Sequence, residues 1–162
     1  MIKEAKSYLS QDGGLFCSSA SEFKINKKFD VIVSFFHVMS YQISNAELKN
    51  IFKNVKEHLA DGGLFIFDFW YGPAVLTDLP VVKIKRLEDD EVKIIRLTEP
   101  VMHPNNNIVD VNFEVLITDK KTGEVEVINE THKMRYFFLP EIEMFTEFAG
   151  LQVVNSYKWM TY

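Results

Sequence analysis

Two stretches of the chain are apolar without alternation: Phe29-Asp30-Val31-Ile32-Val33-Ser34-Phe35-Phe36 and Leu64-Phe65-Ile66-Phe67-Asp68-Phe69-Trp70. Strands covered on both faces read this way, so the two are predicted as neighbours in a parallel sheet sandwiched by helices. Between them, Leu48, Ile51, Phe52, Val55 and Leu59 recur at helical spacing. Ser44-Asn45-Ala46-Glu47 precedes them as a capping box, in which Ser44 and Glu47 each satisfy a backbone donor that the first turn leaves over. Gly62-Gly63 is predicted to close the helix. Strand, helix and strand then form one right-handed crossover. Upstream, Ile2, Ala5, Tyr8 and Leu9 share a helical stripe that ends at Asp12-Gly13-Gly14. Leu15-Phe16-Cys17 reads as a brief strand before the small hydroxyl residues that follow it.

From about Val81 the period changes. Val109, Val111, Phe113, Val115 and Ile117 alternate with Asp110, Asn112 and Glu114, the pattern of strands with one wet face. Turn residues at Glu88-Asp89-Asp90, Pro104-Asn105-Asn106-Asn107 and Lys120-Lys121-Thr122-Gly123 divide this region into an antiparallel meander reaching Phe138. Pro140 opens a short helix bearing Ile142, Phe145, Phe148 and Ala149, which Gly150 stops, and a final strand is predicted from Leu151 to Tyr157. The fold class is therefore α/β with an antiparallel β insertion. Residues 1–80 form the core, 81–138 the insertion and 139–162 the return to the core, in one domain overall.

Composition narrows the function. The chain has 162 residues, enough for a single core burying about 70% of the unfolded surface. Its net charge of -5 supplies no general positive field for phosphate backbones, which argues against a nucleic-acid partner. The one cysteine, Cys17, cannot form an internal disulfide, no Cys/His cluster has metal spacing, and a reducing cytoplasm is the simplest setting. Apolar runs fall short of the ~20 residues a spanning helix needs, so a membrane partner is not expected either. Aromatic residues reach 14%, which suits a dense core or a ring-lined site.

Three segments in this order resemble a class I S-adenosylmethionine-dependent methyltransferase: the strand Phe29–Phe36 continuing into His37-Val38; the helix ending Leu59-Ala60-Asp61-Gly62-Gly63 with Leu64-Phe65-Ile66-Phe67-Asp68 after it; and Met134-Arg135-Tyr136-Phe137-Phe138 through Ala149-Gly150-Leu151. The first two are similar to the family's fourth strand, its helix and its fifth strand. The third is similar to the small-molecule branch, including sugar-nucleotide amine methyltransferases, which insert an antiparallel β element before the sixth strand. The resemblance implies a partial Rossmann-like methyltransferase sheet, S-adenosylmethionine as cofactor, and a small-molecule acceptor methylated on nitrogen or oxygen, with a nucleotide-linked sugar as one such acceptor.

The family's first strand, its glycine-rich cofactor loop and the acid ending its second strand have no counterpart here. Met1-Ile2-Lys3-Glu4-Ala5-Lys6 instead resembles the helix after that acid, so the chain is expected to be a truncated form with weak or absent cofactor binding and little activity alone. In the family's sheet order only the fourth and fifth of the present strands would be neighbours. Unpaired ladder groups are costly. The chain is therefore expected to re-pair its strands, to exchange elements with another copy as a homo-oligomer, or to fold beside a missing fragment. A different class of protein, a non-catalytic α+β binding or oligomerisation module with the meander as its contact face, fits the same pattern.

Candidate site residues follow from the resemblance and from position. Ser19 and Ala20 stand where the family places an acid and an alanine beside the adenine ring; a plain helix cap is the simpler role for that serine. Ser34, Phe35 and Phe36 leave the carboxyl end of a buried parallel strand, where open α/β sheets bind ligands, and their carbonyls could hold the cofactor's ammonium. His37 is the candidate proton acceptor, with a structural role as the competing reading. Tyr41, Trp70, Tyr71, His132, Arg135 and Tyr136 are candidates for the acceptor pocket. Strand parity puts His132 and Tyr136 on one face and Arg135 on the other, as one of a hairpin's outward charges. Asp68, inside an apolar strand, needs a partner.

Overall fold

The structure, a computed structural model, describes residues 14–158. Strand β1 (Phe29–Ser34) pairs in parallel with β2 (Leu59–Phe67), with Ile32 opposite Phe65 and Ser34 opposite Phe67. The crossover between them is helix α1 (Asn45–His58), and its capping box is made as the sequence predicts. Ser44 Oγ accepts the Glu47 N–H at 3.2 Å, and Glu47 Oε2 accepts the Ser44 N–H at 3.4 Å.

The glycine pair does not end the helix. α1 stops at His58, Leu59 already faces Phe29, and the register then jumps so that Val31 faces Leu64. Residues 60–63 form a bulge in which Gly62 takes a φ of 76°. A Cβ on Gly63 would lie 3.0 Å from the carbonyl oxygens of Ala60 and Asp30, so the bulge lies flat on β1. Helix stop and strand bulge make the same demand for glycine, and the sequence alone does not distinguish them.

The core gathers under α1. Leu48, Ile51, Phe52 and Val55 are buried with Met39, Leu59, Phe137, Ile142 and Phe145, and Ile32, Phe65 and Phe67 pack against them. Phe52 sits in the middle, edge-on to Phe65 and Phe67 and stacked at 6.3 Å on Phe145. The other face of the β1–β2 pair carries Val31, Val33, Leu64 and Ile66, each exposed. Among the described residues the two strands are thus covered on one face only, against the expectation of two.

Beyond β2 come β3 (Trp70–Tyr71) and a helix the sequence reading missed, α2 (Gly72–Thr77), six residues long with Pro73 in its first turn. A single helical turn is too short to show a period; the proline was its only signal. The meander follows with turns where they were expected: β4 (Lys83–Glu88), β5 (Val92–His103), β6 (Ile108–Asp119) and β7 (Val125–Phe137). β3 lies parallel to β7, with Trp70 opposite Tyr136, giving the order β3-β7-β6-β5-β4. Val109, Val111, Met134 and Tyr136 form a second buried cluster on this sheet, against which Trp70, Val75 and Phe113 pack.

Helix α3 (Leu139–Phe148) returns to the first core through Ile142 and Phe145. Its end is closed by the Leu151 N–H to Thr146 O at 2.9 Å. Two expected strands are absent. Leu15-Phe16-Cys17 and Leu151–Tyr157 have no regular structure, because neither has a strand beside it to complete a ladder among the described residues. The helix expected from Ile2 to Leu9 lies outside the described residues.

Candidate functional site

β1 ends at Ser34, and the chain turns sharply through Phe35, Phe36 and His37. Phe36 and His37 both have a φ of 62°, a left-handed conformation that costs non-glycine residues free energy and persists only when neighbours enforce it. Asp68 is the enforcing group. It sits just past β2, its Oδ1 accepts the His37 backbone N–H at 3.0 Å, and its Oδ2 lies 3.2 Å from His37 Nδ1. Its own N–H donates to Ser34 O at 3.2 Å. The acid that the sequence left in an apolar strand therefore clasps both backbone and ring of His37. Phe36 is thrown outward, 82% exposed, and Phe35 is also exposed.

A 3₁₀ turn, Val38–Tyr41, carries the chain from this corner onto β7. Ser40 is fully buried, and its Oγ accepts the Trp70 N–H at 2.9 Å. Trp70 in turn stands edge-on to His37, with centroids 6.4 Å apart. Tyr41 Oη lies 2.8 Å from His132 Nδ1, and His132 Nε2 lies 3.1 Å from Glu130 Oε2. Phe113 packs edge-on to His132 at 5.2 Å, and the Arg96 guanidinium covers the Phe113 ring at 5.2 Å. The candidates Tyr41, Trp70 and His132 are thus linked by contacts to His37 and to one wall of the meander.

Three residues of this wall, Arg96, Phe113 and Glu130, were not singled out as site residues. Glu130 shares strand parity with His132 and could have been found by counting two residues back. Arg96 could not, because its place follows from the β5–β6 register, which sets it opposite Val115.

The remaining candidates fall elsewhere. Tyr136 shares His132's parity but is buried, and its phenol is pushed above the ordinary tyrosine value by desolvation. Its hydroxyl donates to Pro104 O at 3.5 Å. Arg135 does occupy the opposite face, but that face is buried, not outward: its guanidinium pairs with Glu141, donates to Ile43 O at 3.2 Å and lies over Phe137. The return of α3 over β7 covers it, a contact no local pattern announces. Tyr71 is exposed beside the β3–β7 joint. Ser19 Oγ is 2.8 Å from Ser21 Oγ within a turn, and Ala20 O accepts from Asn54 Nδ2 of α1 at 3.2 Å. Among the described residues no three His, Cys, Asp or Glu side chains are grouped to hold a metal ion, and no helix is long and apolar enough to cross a membrane.

No protein-family profile matches the chain. It is 27% identical over 153 residues, 94% of its length and 62% of the relative's, to the dTDP-3-amino-3,4,6-trideoxy-alpha-D-glucopyranose N,N-dimethyltransferase of Streptomyces venezuelae. A crystal structure of an S-adenosylmethionine-dependent methyltransferase from Clostridium acetobutylicum superposes with a TM-score of 0.75 at 26% identity, over 95% of this chain and 59% of that one. The sugar N-methyltransferase KedS8 from a Streptoalloteichus species shares the fold, with a TM-score of 0.77 at 17% identity, over 91% and 57%. Fold and sequence are thus both similar to those of S-adenosylmethionine-dependent methyltransferases. It spans about three fifths of the length of the relatives it matches.

Proposed function

We propose that this chain belongs to an enzyme that transfers a methyl group from S-adenosylmethionine to a small molecule, and that the acceptor is an amino group on a nucleotide-linked sugar. The observation that carries this reading is the corner at the carboxyl ends of β1 and β2. There Asp68 holds His37 in a strained conformation, and the following turn sets Tyr41 against His132. Strained backbone over-determined by its neighbours gathers at functional sites.

The donor set suits the cofactor. Carbonyls leaving β1 at Ser34 and Phe35 can face an ammonium, the exposed Phe36 ring offers an apolar face, and the Ser19 hydroxyl with Ala20 is the counterpart of the family's adenine contact. When bound, S-adenosylmethionine supplies a methyl group already activated on a sulfonium. Direct displacement then depends on alignment, so His37, clasped by Asp68, acts chiefly by orienting the acceptor. Tyr41, Trp70, Tyr71 and His132 form the acceptor's side, with Tyr136 behind them. Arg135 supports that wall through Glu141, and exposed Arg96 over Phe113 is the guanidinium positioned for a sugar nucleotide's phosphates.

A second reading has its own observation: Val81, Val82, Ile84 and Leu87 are exposed along the edge of the meander, as a contact face between proteins would be. One experiment separates the two. With the family's first strand, glycine-rich loop and acid-ended second strand joined ahead of Met1, labelled methyl transfer is measured from S-adenosylmethionine to dTDP-3-amino-3,4,6-trideoxyglucose, with dTDP-glucose as the oxygen acceptor, alongside a thermal shift with the cofactor. Product from the amino sugar supports the enzymatic reading. No product from either sugar, and no stabilisation where ligand at 100 times Kd would add about 2.7 kcal/mol, overturns it in favour of the contact module.

A further inference from the structure

Resting on that reading of the site, we infer that Tyr41, His132 and Glu130 form its proton-accepting relay, with Tyr41 touching the acceptor and the other two acting through it. The hydrogen bonds dictate the direction. A carboxylate can only accept, so the 3.1 Å contact between Glu130 and His132 requires the ring proton on Nε2. Nδ1 of the neutral ring is then an acceptor, and Tyr41 must donate to it across 2.8 Å. The phenol oxygen keeps a lone pair that can accept from a ligand. Tyr41 is 46% exposed and stands on the turn that leaves His37.

Charge has somewhere to go. As the acceptor nitrogen bonds to the methyl carbon and the carbon–sulfur bond breaks with its electrons passing to sulfur, the nitrogen becomes cationic. It loses a proton to Tyr41 Oη while the Tyr41 proton moves to His132 Nδ1, and the N–H electron pair returns to nitrogen. The products are a neutral methylated amine and an imidazolium facing the Glu130 carboxylate. Glu130 is exposed, its side chain 59% so, and His132 passes the proton to water. The Phe113 ring, edge-on to His132, fixes the imidazole plane. Residues 91 apart in sequence meet here, so the relay exists only when the β1 corner docks on β7.

The test needs no cofactor in its first two arms. Long-range proton–nitrogen NMR on the full chain reads the His132 tautomer, and the Nε2–H form is expected; an Nδ1–H form would sink the relay. Titration with dTDP-3-amino-3,4,6-trideoxyglucose is then expected to move the His132 Nδ1 resonance in the native protein and not in Tyr41→Phe. No movement in the native protein, or equal movement in both, overturns the proposal. In the third arm, turnover of the amino-terminally extended chain is expected to fall by about 100-fold in Tyr41→Phe and His132→Gln with KM nearly unchanged, and an undiminished kcat overturns the relay. Circular dichroism checks that both variants fold. A native protein that moves the His132 resonance, together with no methyl transfer by the chain extended at its amino end with the family's cofactor loop, would defeat the methyltransferase reading alone.

Discussion

Ser40 Oγ and the backbone N–H of Trp70 meet at 2.9 Å in the interior, thirty residues apart in sequence. The bond joins the turn after β1 to β3, and through β3 to β7, so it ties the parallel pair to the meander at the corner where the candidate site lies. Ser40→Ala leaves the Trp70 donor buried without this partner and is expected to cost about 1–3 kcal/mol, read from urea unfolding. A loss below about 0.3 kcal/mol would mean the joint is held by other contacts.

Arg135 and Glu141 form a shielded ion pair between β7 and α3. Removing one partner strands the other charge, so Arg135→Met is expected to destabilise the protein by about 3–5 kcal/mol. The double variant Arg135→Met, Glu141→Met should recover most of that loss, because two apolar side chains replace two charges. Unfolding midpoints of the singles and the double complete the cycle. If the double is as unstable as Arg135→Met, the pair is not what holds this face.

Asp68 clasps the strained Phe36–His37 backbone, and in the proposed mechanism the His37 side chain only orients the acceptor. Asp68→Ala is therefore expected to lower kcat by about 100-fold through misplacement of the corner. His37→Ala should cost less than that, since loss of a true general base costs about 100-fold or more. The opposite ranking in steady-state kinetics would make His37 the proton acceptor.

Two of the meander's three turns are set by carboxylates. Asp119 Oδ1 accepts the N–H groups of Thr122 and Lys121, and Asp89 Oδ1 those of Val92 and Glu91. These bonds hold both carboxyls below the ordinary aspartate value. The folded state then binds these protons less tightly than the unfolded chain. Their stabilisation is complete above the ordinary value and is lost as pH falls from there through the depressed folded value. In an acid titration followed by NMR, the amides of Val92 and Thr122 should lose protection before those of α1. Asp119→Asn should abolish the Thr122 response, and simultaneous loss at α1 would refute local control.

How much of this was legible beforehand depends on the range of each interaction. α1 with its Ser44–Glu47 cap, the three turns of the meander and α3 behind Pro140 all follow from signals a few residues wide, and all are present. Gly62-Gly63 was misassigned because a helix stop and a bulge ask the same of the backbone. Among site residues, Tyr41, Trp70 and His132 were named singly, but their junction was not visible, and Glu130 and Arg96 were missed as site residues.

The chain's own order of residues determined β1, α1, the strands of the meander and α3, and that β1 and β2 lie side by side, because periodicity, caps and turn chemistry act over a few neighbouring positions. Tertiary structure alone decided that Arg135 is buried against Glu141, that Asp68 answers His37, and that Tyr41 reaches His132. Those contacts join residues up to 91 positions apart, and only the packing of one element on another brings such distant groups within hydrogen-bonding distance.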